Sequence, residues 1–169
     1  AIAERTDNAE FAARIEELIN RTNQMNFTKS RVEPGSLTAT IVANDGAYLP
    51  YSVFVWDKYG YHGLVGFAFV EKRKKLTHFL FSCRIMHMGV EQRLLYELAR
   101  HWAHPQLDVS TVPVKPEEAP WIKVVRFAEP EVRAQILAQE KKGGVRTPQV
   151  RVMANCQSSA IAHFGGFAD

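Results

Sequence analysis

Cysteine is scarce: Cys83 and Cys156 are the only two among 169 residues, too few for a disulfide framework and, without clustered partners, too few for a zinc site. Apolar runs approaching the roughly 20 residues of a membrane span are missing, and so is the charged start and apolar middle of a signal peptide. We therefore expect no membrane partner and a cytoplasmic location. Charge of one sign is also missing: 21 Lys and Arg against 18 Asp and Glu leave +3, too little to argue for nucleic acid. The six histidines are scattered without a ligand spacing, so no metal site is expected. Internal repeats and low-complexity segments do not occur. The chain opens on Ala1 rather than methionine and closes on Gly165-Gly166-Phe167-Ala168-Asp169 just after a strand-like run. The expectation is a piece of a longer polypeptide, with ordinary processing at both ends as the alternative.

What is present is a hydrophobic fraction of 46% and a charged fraction of 23%, the composition of a globular domain of ordinary size. Asp7 and Glu10 have capping-box spacing, and Phe11, Ile15, Leu18 and Ile19 follow with helical period, which predicts a helix over about 8–21. Leu37 to Val42 alternates as a strand would, and Tyr51 to Trp56 reads as a second strand. The turn residues Asp57 to Gly63 then lead into apolar Leu64 to Val70, a hairpin. Lys72-Arg73-Lys74-Lys75 marks a second hairpin turn with a basic tip before Thr77 to Cys83. From Gly89 to Ala103 a helix places Val90, Leu94, Leu95, Leu98 and Trp102 on one face and Glu91, Arg93, Glu97 and Arg100 on the other. Leu107 to Val114 is the next expected strand, 129–141 a helix, Val150 to Ala154 a strand and Ser158 to Phe164 a last helix. This is a mixed α/β order with early hairpins and a later crossover. We expect residues 1–145 to form one domain and residues 146–169 to supply its final strand and helix, or to begin a following domain.

The chemistry-bearing residues gather where the buried run 79–83 hands over through glycine to a helix. A thiol at Cys83, beside Arg84 and near a helix start, has its thiolate favoured, which makes a nucleophile or acyl acceptor available at neutral pH. Its bland counterpart is a small buried hydrophobe with inert sulfur. Arg84 and the backbone around Gly89 are expected to bind an anion; a surface arginine paired with Glu91 or another carboxylate is the alternative. His87 has the right ordinary pKa for a general base, against the reading of an exposed loop histidine. The polar stretch Asn20 to Thr28 offers amides that could hold a polar acyl group, or could simply cap the first helix and brace the next loop. Asp57 and the glycines around it read as turn residues. The basic tip reads as a solvated turn, with docking on the acidic surface of a carrier protein as its functional counterpart.

Three segments in order, Leu18-Ile19-Asn20-Arg21-Thr22-Asn23-Gln24-Met25-Asn26-Phe27-Thr28, Trp56-Asp57-Lys58-Tyr59-Gly60-Tyr61-His62-Gly63-Leu64-Val65-Gly66 and the junction from Phe79 to Leu95, resemble the GNAT-like C-terminal half of FkbH-like proteins. The resemblance runs to about Trp102. It implies a GNAT-like fold, a largely antiparallel sheet flanked by helices, and an acyltransferase that loads a glyceryl-like group from a small acyl donor onto the phosphopantetheine thiol of an acyl carrier protein. It further implies a haloacid-dehalogenase-type phosphatase half upstream, bringing its own metal. Within the family pattern Asn23, Gln24 and Asn26 would orient the acyl group, Cys83 would accept it, and Arg84 and Gly89 would hold an anion. The chain carries Met88 where the family has arginine, and Glu91 sits where a coenzyme A loop needs a small residue, so like-charge repulsion disfavours coenzyme A as the alternative thiol source. The asparagine expected after the sixth strand is also missing from 112–121. A non-catalytic module that positions a carrier protein is the rival reading. The end segment Val150-Arg151-Val152-Met153-Ala154-Asn155-Cys156-Gln157-Ser158 is similar to the opening of WcbI-type acyltransferases, in which case Cys156 belongs to a following domain.

Overall fold

The computed structural model describes residues 1–43, 46–100 and 106–143. Four strands, β1 (Ile2–Glu4), β2 (Tyr48–Asp57), β3 (Gly60–Glu71) and β4 (Lys75–Phe81), form one antiparallel sheet in the order β1-β2-β3-β4. The helices are α1 (Ala12–Arg21), α2 (Ser36–Ala43), α3 (Val90–Arg100) and α4 (Pro130–Gly143). On one face of the sheet Ile15 and Ile19 of α1, Leu37 and Ile41 of α2 and Ile136 of α4 pack on Phe54, Leu64, Phe67 and Leu80. On the other, Val90, Leu94, Leu95 and Leu98 of α3 pack on Val53, Val65, Phe79 and Phe81. Because both faces are covered, β3 reads as the uninterrupted apolar run Leu64 to Val70, fully buried, instead of an alternation.

Neither sheet edge is left bare. The outer edge of β4 receives the segment after α1: the Phe27 N–H donates to the Phe79 carbonyl at 3.0 Å and the Phe81 N–H to the Met25 carbonyl at 3.0 Å. The Thr28 hydroxyl accepts from the Phe79 N–H at 3.3 Å, and the Ser30 hydroxyl donates to the Thr77 carbonyl at 2.7 Å. At the opposite edge residues 125–127 clasp Ile2 by two backbone bonds of 3.0 and 2.9 Å. Such coverage removes unpaired N–H and C=O rows that would otherwise recruit another chain.

Several expectations need correction. Residues 36–43 are helical, not extended. The Thr-Ala alternation mimics a strand, but Leu37 and Ile41 lie one helical turn apart and both bury against α1. Glu16 of α1 caps this helix from outside, accepting from the Gly35 and Leu37 N–H groups at 2.9 and 3.1 Å. The capping box at Asp7 and Glu10 does not form, because 5–11 is a 3₁₀ helix in which both carboxylates face Arg133, at 4.0 and 3.6 Å. Leu107 to Val114 makes only a single parallel bridge, Asp108 to Lys75; the Asp108 carboxylate accepts from the Ser110 N–H at 2.9 Å and from its hydroxyl, which turns the chain. On the polar face of α3 Arg100 is exposed, whereas Glu97 is 6% exposed and pairs with Arg93 at 2.7 Å, and Glu91 is buried. Strand β1 was not expected at all. The two hairpins and the helix over 129–141 are present. The elements read at 150–154 and 158–164, Cys156 and the boundary at 146 lie outside the described residues. Among those described, no helix is long and apolar enough to cross a membrane.

His78 of β4 carries a pH signature. Its ring sits among Phe67 and Phe69, and burial holds its pKa below the ordinary 6.5, since the imidazolium would lose its hydration. Below about 6.5 the unfolded chain takes up a proton that the folded chain refuses. The stability from this site is therefore fully present above pH 6.5 and is lost as pH falls below that value and through the lower pKa of the folded chain. Urea unfolding free energies compared across this range should rise with pH more steeply in the native chain than in His78→Phe, and parallel curves would refute the assignment.

Candidate functional site

The site forms where β4 ends. The Ser82 N–H donates to the Val65 carbonyl at 2.7 Å, which ties the exit of β4 to β3. The Ser82 hydroxyl then accepts from the Arg84 N–H at 3.4 Å and the Arg84 Nε–H at 3.2 Å, capping the single 3₁₀ turn 83–85. Ile85 is fully buried and anchors that turn, so Cys83 and Arg84 project outward and both are exposed.

Facing this turn is the polar flank of α1. Arg14, Glu17, Leu18 and Arg21 recur at helical spacing on one side of the helix, and the chain leaves α1 through Thr22 to Met25. The two walls enclose an open cavity of about 490 Å³ lined by Arg14, Arg21, Asn23, Gln24, Cys83 and Arg84, with Leu64 and Met25 among its apolar floor. Arg14 is paired with Glu140 of α4 at 2.8 Å, and Glu140 also accepts from the Tyr61 hydroxyl at 2.7 Å. Burial is the chief reason the Tyr61 phenol is held neutral, its pKa raised far above the ordinary value, with the Glu140 carboxylate adding to it. Arg21 pairs with Glu17 at 2.6 Å. Arg84 bonds only Ser82 and meets no carboxylate among the described residues. Arg14 is balanced by Glu140 and Arg21 by Glu17, so Arg84 supplies the net positive charge of the cavity, and an anion gains most beside it.

The sequence-derived residues separate into two sets. Cys83, Arg84, Asn23 and Gln24 are brought together in the cavity. Asn23 is held there by Arg31, whose Nη2–H donates to its Oδ1 at 2.6 Å, while Lys29 donates to its carbonyl at 3.2 Å. Asn26, Gly89 and His87 do not line it. Asn26 is 0% exposed; its amide donates to the Ser30 carbonyl at 3.0 Å and its Oδ1 accepts from Thr28 at 3.4 Å. It braces the strip that covers β4. Gly89, at φ +80°, lies under Trp121: a Cβ built there would stand 3.1 Å from the indole, whose N–H donates to the Met88 carbonyl at 3.2 Å. His87 is exposed, at φ +68°. Asp57 is a turn residue, as read: its carboxylate accepts from the Tyr59 and Gly60 N–H groups at 2.7 and 3.2 Å. Those backbone bonds, with His62 adding to them, keep its pKa below the usual carboxylate range.

Compared with known proteins, the chain matches no protein-family model, no curated protein and no solved structure. Sequence reasoning missed Arg14, Glu17 and Arg21, although their spacing of three, four and seven along the first helix put them on one solvent-facing stripe. Ser82 was missed for lack of any signal before the turn geometry was known. Among the described residues no group of three His, Cys, Asp or Glu side chains could hold a metal ion. A second cavity of about 490 Å³ lies at the start of α3, walled by Val55, Met88, Val90, Leu94, Trp121 and Val124. Its walls are mainly apolar, with Ala1, Asp57 and Lys123 at its rim, and it holds no thiol.

Proposed function

We propose that this chain is a GNAT-like acyl-transfer domain in which Cys83 takes a small, glyceryl-like acyl group from an activated anionic donor and passes it to a pantetheine thiol, that of an acyl carrier protein. The observation that carries the reading is the exposed Cys83 sulfur in a cationic cavity whose rim also holds Asn23 and Gln24. The order β-α-α-β-β-β-α-α and the antiparallel sheet with helices on both faces are compatible with the GNAT arrangement. With an acyl phosphate donor, the Cys83 thiolate attacks the carbonyl carbon, the carbon–oxygen bond to phosphate breaks, and phosphate leaves toward Arg84. The incoming pantetheine thiol gives its proton to water, attacks the Cys83 thioester, and expels the Cys83 thiolate. Asn23 and Gln24 are placed to hydrogen-bond a hydroxylated acyl chain.

The cover of Trp121 over Gly89 and the burial of Glu91 at the start of α3 speak against a coenzyme A diphosphate at that helix end. The rival reading, a carrier-positioning module without catalysis, draws on one observation: His87 stands outside the cavity, and the lining carboxylate among the described residues, Glu17, is already paired with Arg21. Incubating the native chain with a small acyl phosphate and measuring intact mass separates the two. The acyl-transfer reading requires a single adduct that maps to the peptide containing Cys83 and is discharged by added pantetheine. A chain that binds carrier protein but never gains mass is a module.

A further inference from the structure

The turn joining β3 and β4 is built against its own backbone preference. The Lys74 N–H donates to the Glu71 carbonyl at 2.9 Å, closing a β-turn whose central residues, Lys72 and Arg73, stand at φ +47° and +60°. Positive φ at both central positions is what a type I′ hairpin turn demands, and asparagine and glycine meet that demand without the steric cost that a lysine and an arginine incur. A sequence that holds two long cations in a left-handed conformation is retaining them for something other than the turn.

The charge is concentrated. Lys72, Arg73, Lys74 and Lys75 are all exposed, and none forms an ion pair among the described residues. A fifth cation stands close by: Arg5, also exposed and at φ +53°, acts together with Arg73 on the Tyr51 phenol. Among the described carboxylates, Glu71 accepts from the Tyr48 hydroxyl at 3.4 Å, Asp108 accepts from Ser110, and Glu4, which also acts on the Tyr51 phenol, pairs with Arg126 at 3.6 Å. The presentation is fixed at both sides, since the Lys72 N–H donates to the Ala47 carbonyl at 2.6 Å and the Lys74 carbonyl accepts from the Asp108 N–H at 2.7 Å. A pre-set projection loses little conformational freedom when it meets a partner.

We propose that this turn is a docking prong for an acidic protein surface. The exposed large apolar side chains among the described residues are Tyr59 and Trp121, neither of them at the tip. The prong therefore carries charge without the apolar wedge that seats a peripheral protein in a bilayer, and without the aromatic platform on which nucleic-acid bases stack. Paired carboxylates of a protein face satisfy Lys and Arg directly, and the rigid tip gives that pairing one register. The inference does not depend on acyl transfer at Cys83.

The test uses the full chain, a fluorescent poly-L-glutamate peptide as the acidic polypeptide, phosphatidylcholine vesicles containing phosphatidylserine, and a DNA duplex. Two variants lose the same charge: one carries Gln at 72, 73, 74 and 75, the other Gln at the exposed Lys58, Lys115, Lys123 and Lys141. Peptide affinity should fall at least about tenfold in the first and stay within about twofold in the second, and the native affinity should fade as ionic strength rises. Equal losses in both variants, or a peptide that does not bind the native chain, would overturn the proposal. So would vesicle or duplex retention that depends on the tip more strongly than peptide binding does. A third variant, Lys72→Asn with Arg73→Gly, keeps the turn and should melt at a higher temperature than the native chain while binding the peptide more weakly. Undiminished binding, or no gain in melting temperature, counts against the prong.

Discussion

Replacing Cys83 with alanine should reduce acyl loading to the uncatalysed background while the unfolding free energy stays within about 0.5 kcal/mol of the native chain, because an exposed side chain contributes little to stability. The two halves of this expectation are coupled. A structural cysteine would report in the melting curve; a nucleophile reports only in the mass spectrum. Cys83→Ser sharpens the distinction. A hydroxyl at this position keeps the shape of the cavity but is far less ionised at neutral pH than a thiol, so the serine variant should acylate slowly and then hold its ester against added pantetheine. Accumulation of that dead-end adduct is an outcome that a module with no covalent step cannot produce. If the alanine variant still loads at the native rate, the sulfur is a bystander and the cationic cavity binds an acid without reacting with it.

What the sequence disclosed about this site follows from which forces act locally. That β4 hands over to a helix was legible because Gly89 punctuates the chain between a buried run and an amphipathic pattern, although the run was expected to reach Cys83 and the strand stops at Phe81. The exposure of Cys83 was not, since it depends on Ile85 reaching the core two residues later and levering the turn outward. The asparagine-rich stretch was read as a single unit, yet it divides at Met25. The part before it faces the cavity, and the part after it pairs with the edge of β4, where Asn26 is sealed by Ser30 and Thr28. An edge strand supplies hydrogen-bonding demand that no local pattern announces. The same holds at α2, where the helix is decided by Glu16 of a neighbouring helix and by the packing of Leu37 and Ile41, against an alternation that by itself favours a strand. Gly89 carried a phosphate-loop reading that Trp121, thirty-two residues further along, displaces by lying across it.

The second large effect is expected at Gly66, and it reaches the site through the core. A Cβ at this position would stand 2.5 Å from both Cδ1 and Cε1 of Phe81 and 3.2 Å from the Val53 side chain, well inside contact distance. Phe81 has nowhere to go: it is fully buried and packs edge-on against Phe79, with ring centroids 5.0 Å apart. Gly66→Ala should therefore cost about 2–3 kcal/mol, the upper part of the usual range for overpacking, despite removing a glycine from a strand interior. The denaturant midpoint should fall with the slope unchanged. Since Phe81 directly precedes Ser82 and Cys83, and Ser82 is tied to Val65 beside Gly66, any ring displacement moves the turn that presents the thiol. The alanine variant should lose acyl loading in proportion to this shift even at temperatures where it is fully folded. Adding Phe81→Leu removes the atoms that clash. In the double variant the alanine should then cost measurably less than it does alone, a coupling that two independent sites would not show. Strict additivity between positions 66 and 81 would mean that the strand yields elsewhere, and that the close approach of Gly66 to Phe81 is not what sets the geometry of Cys83.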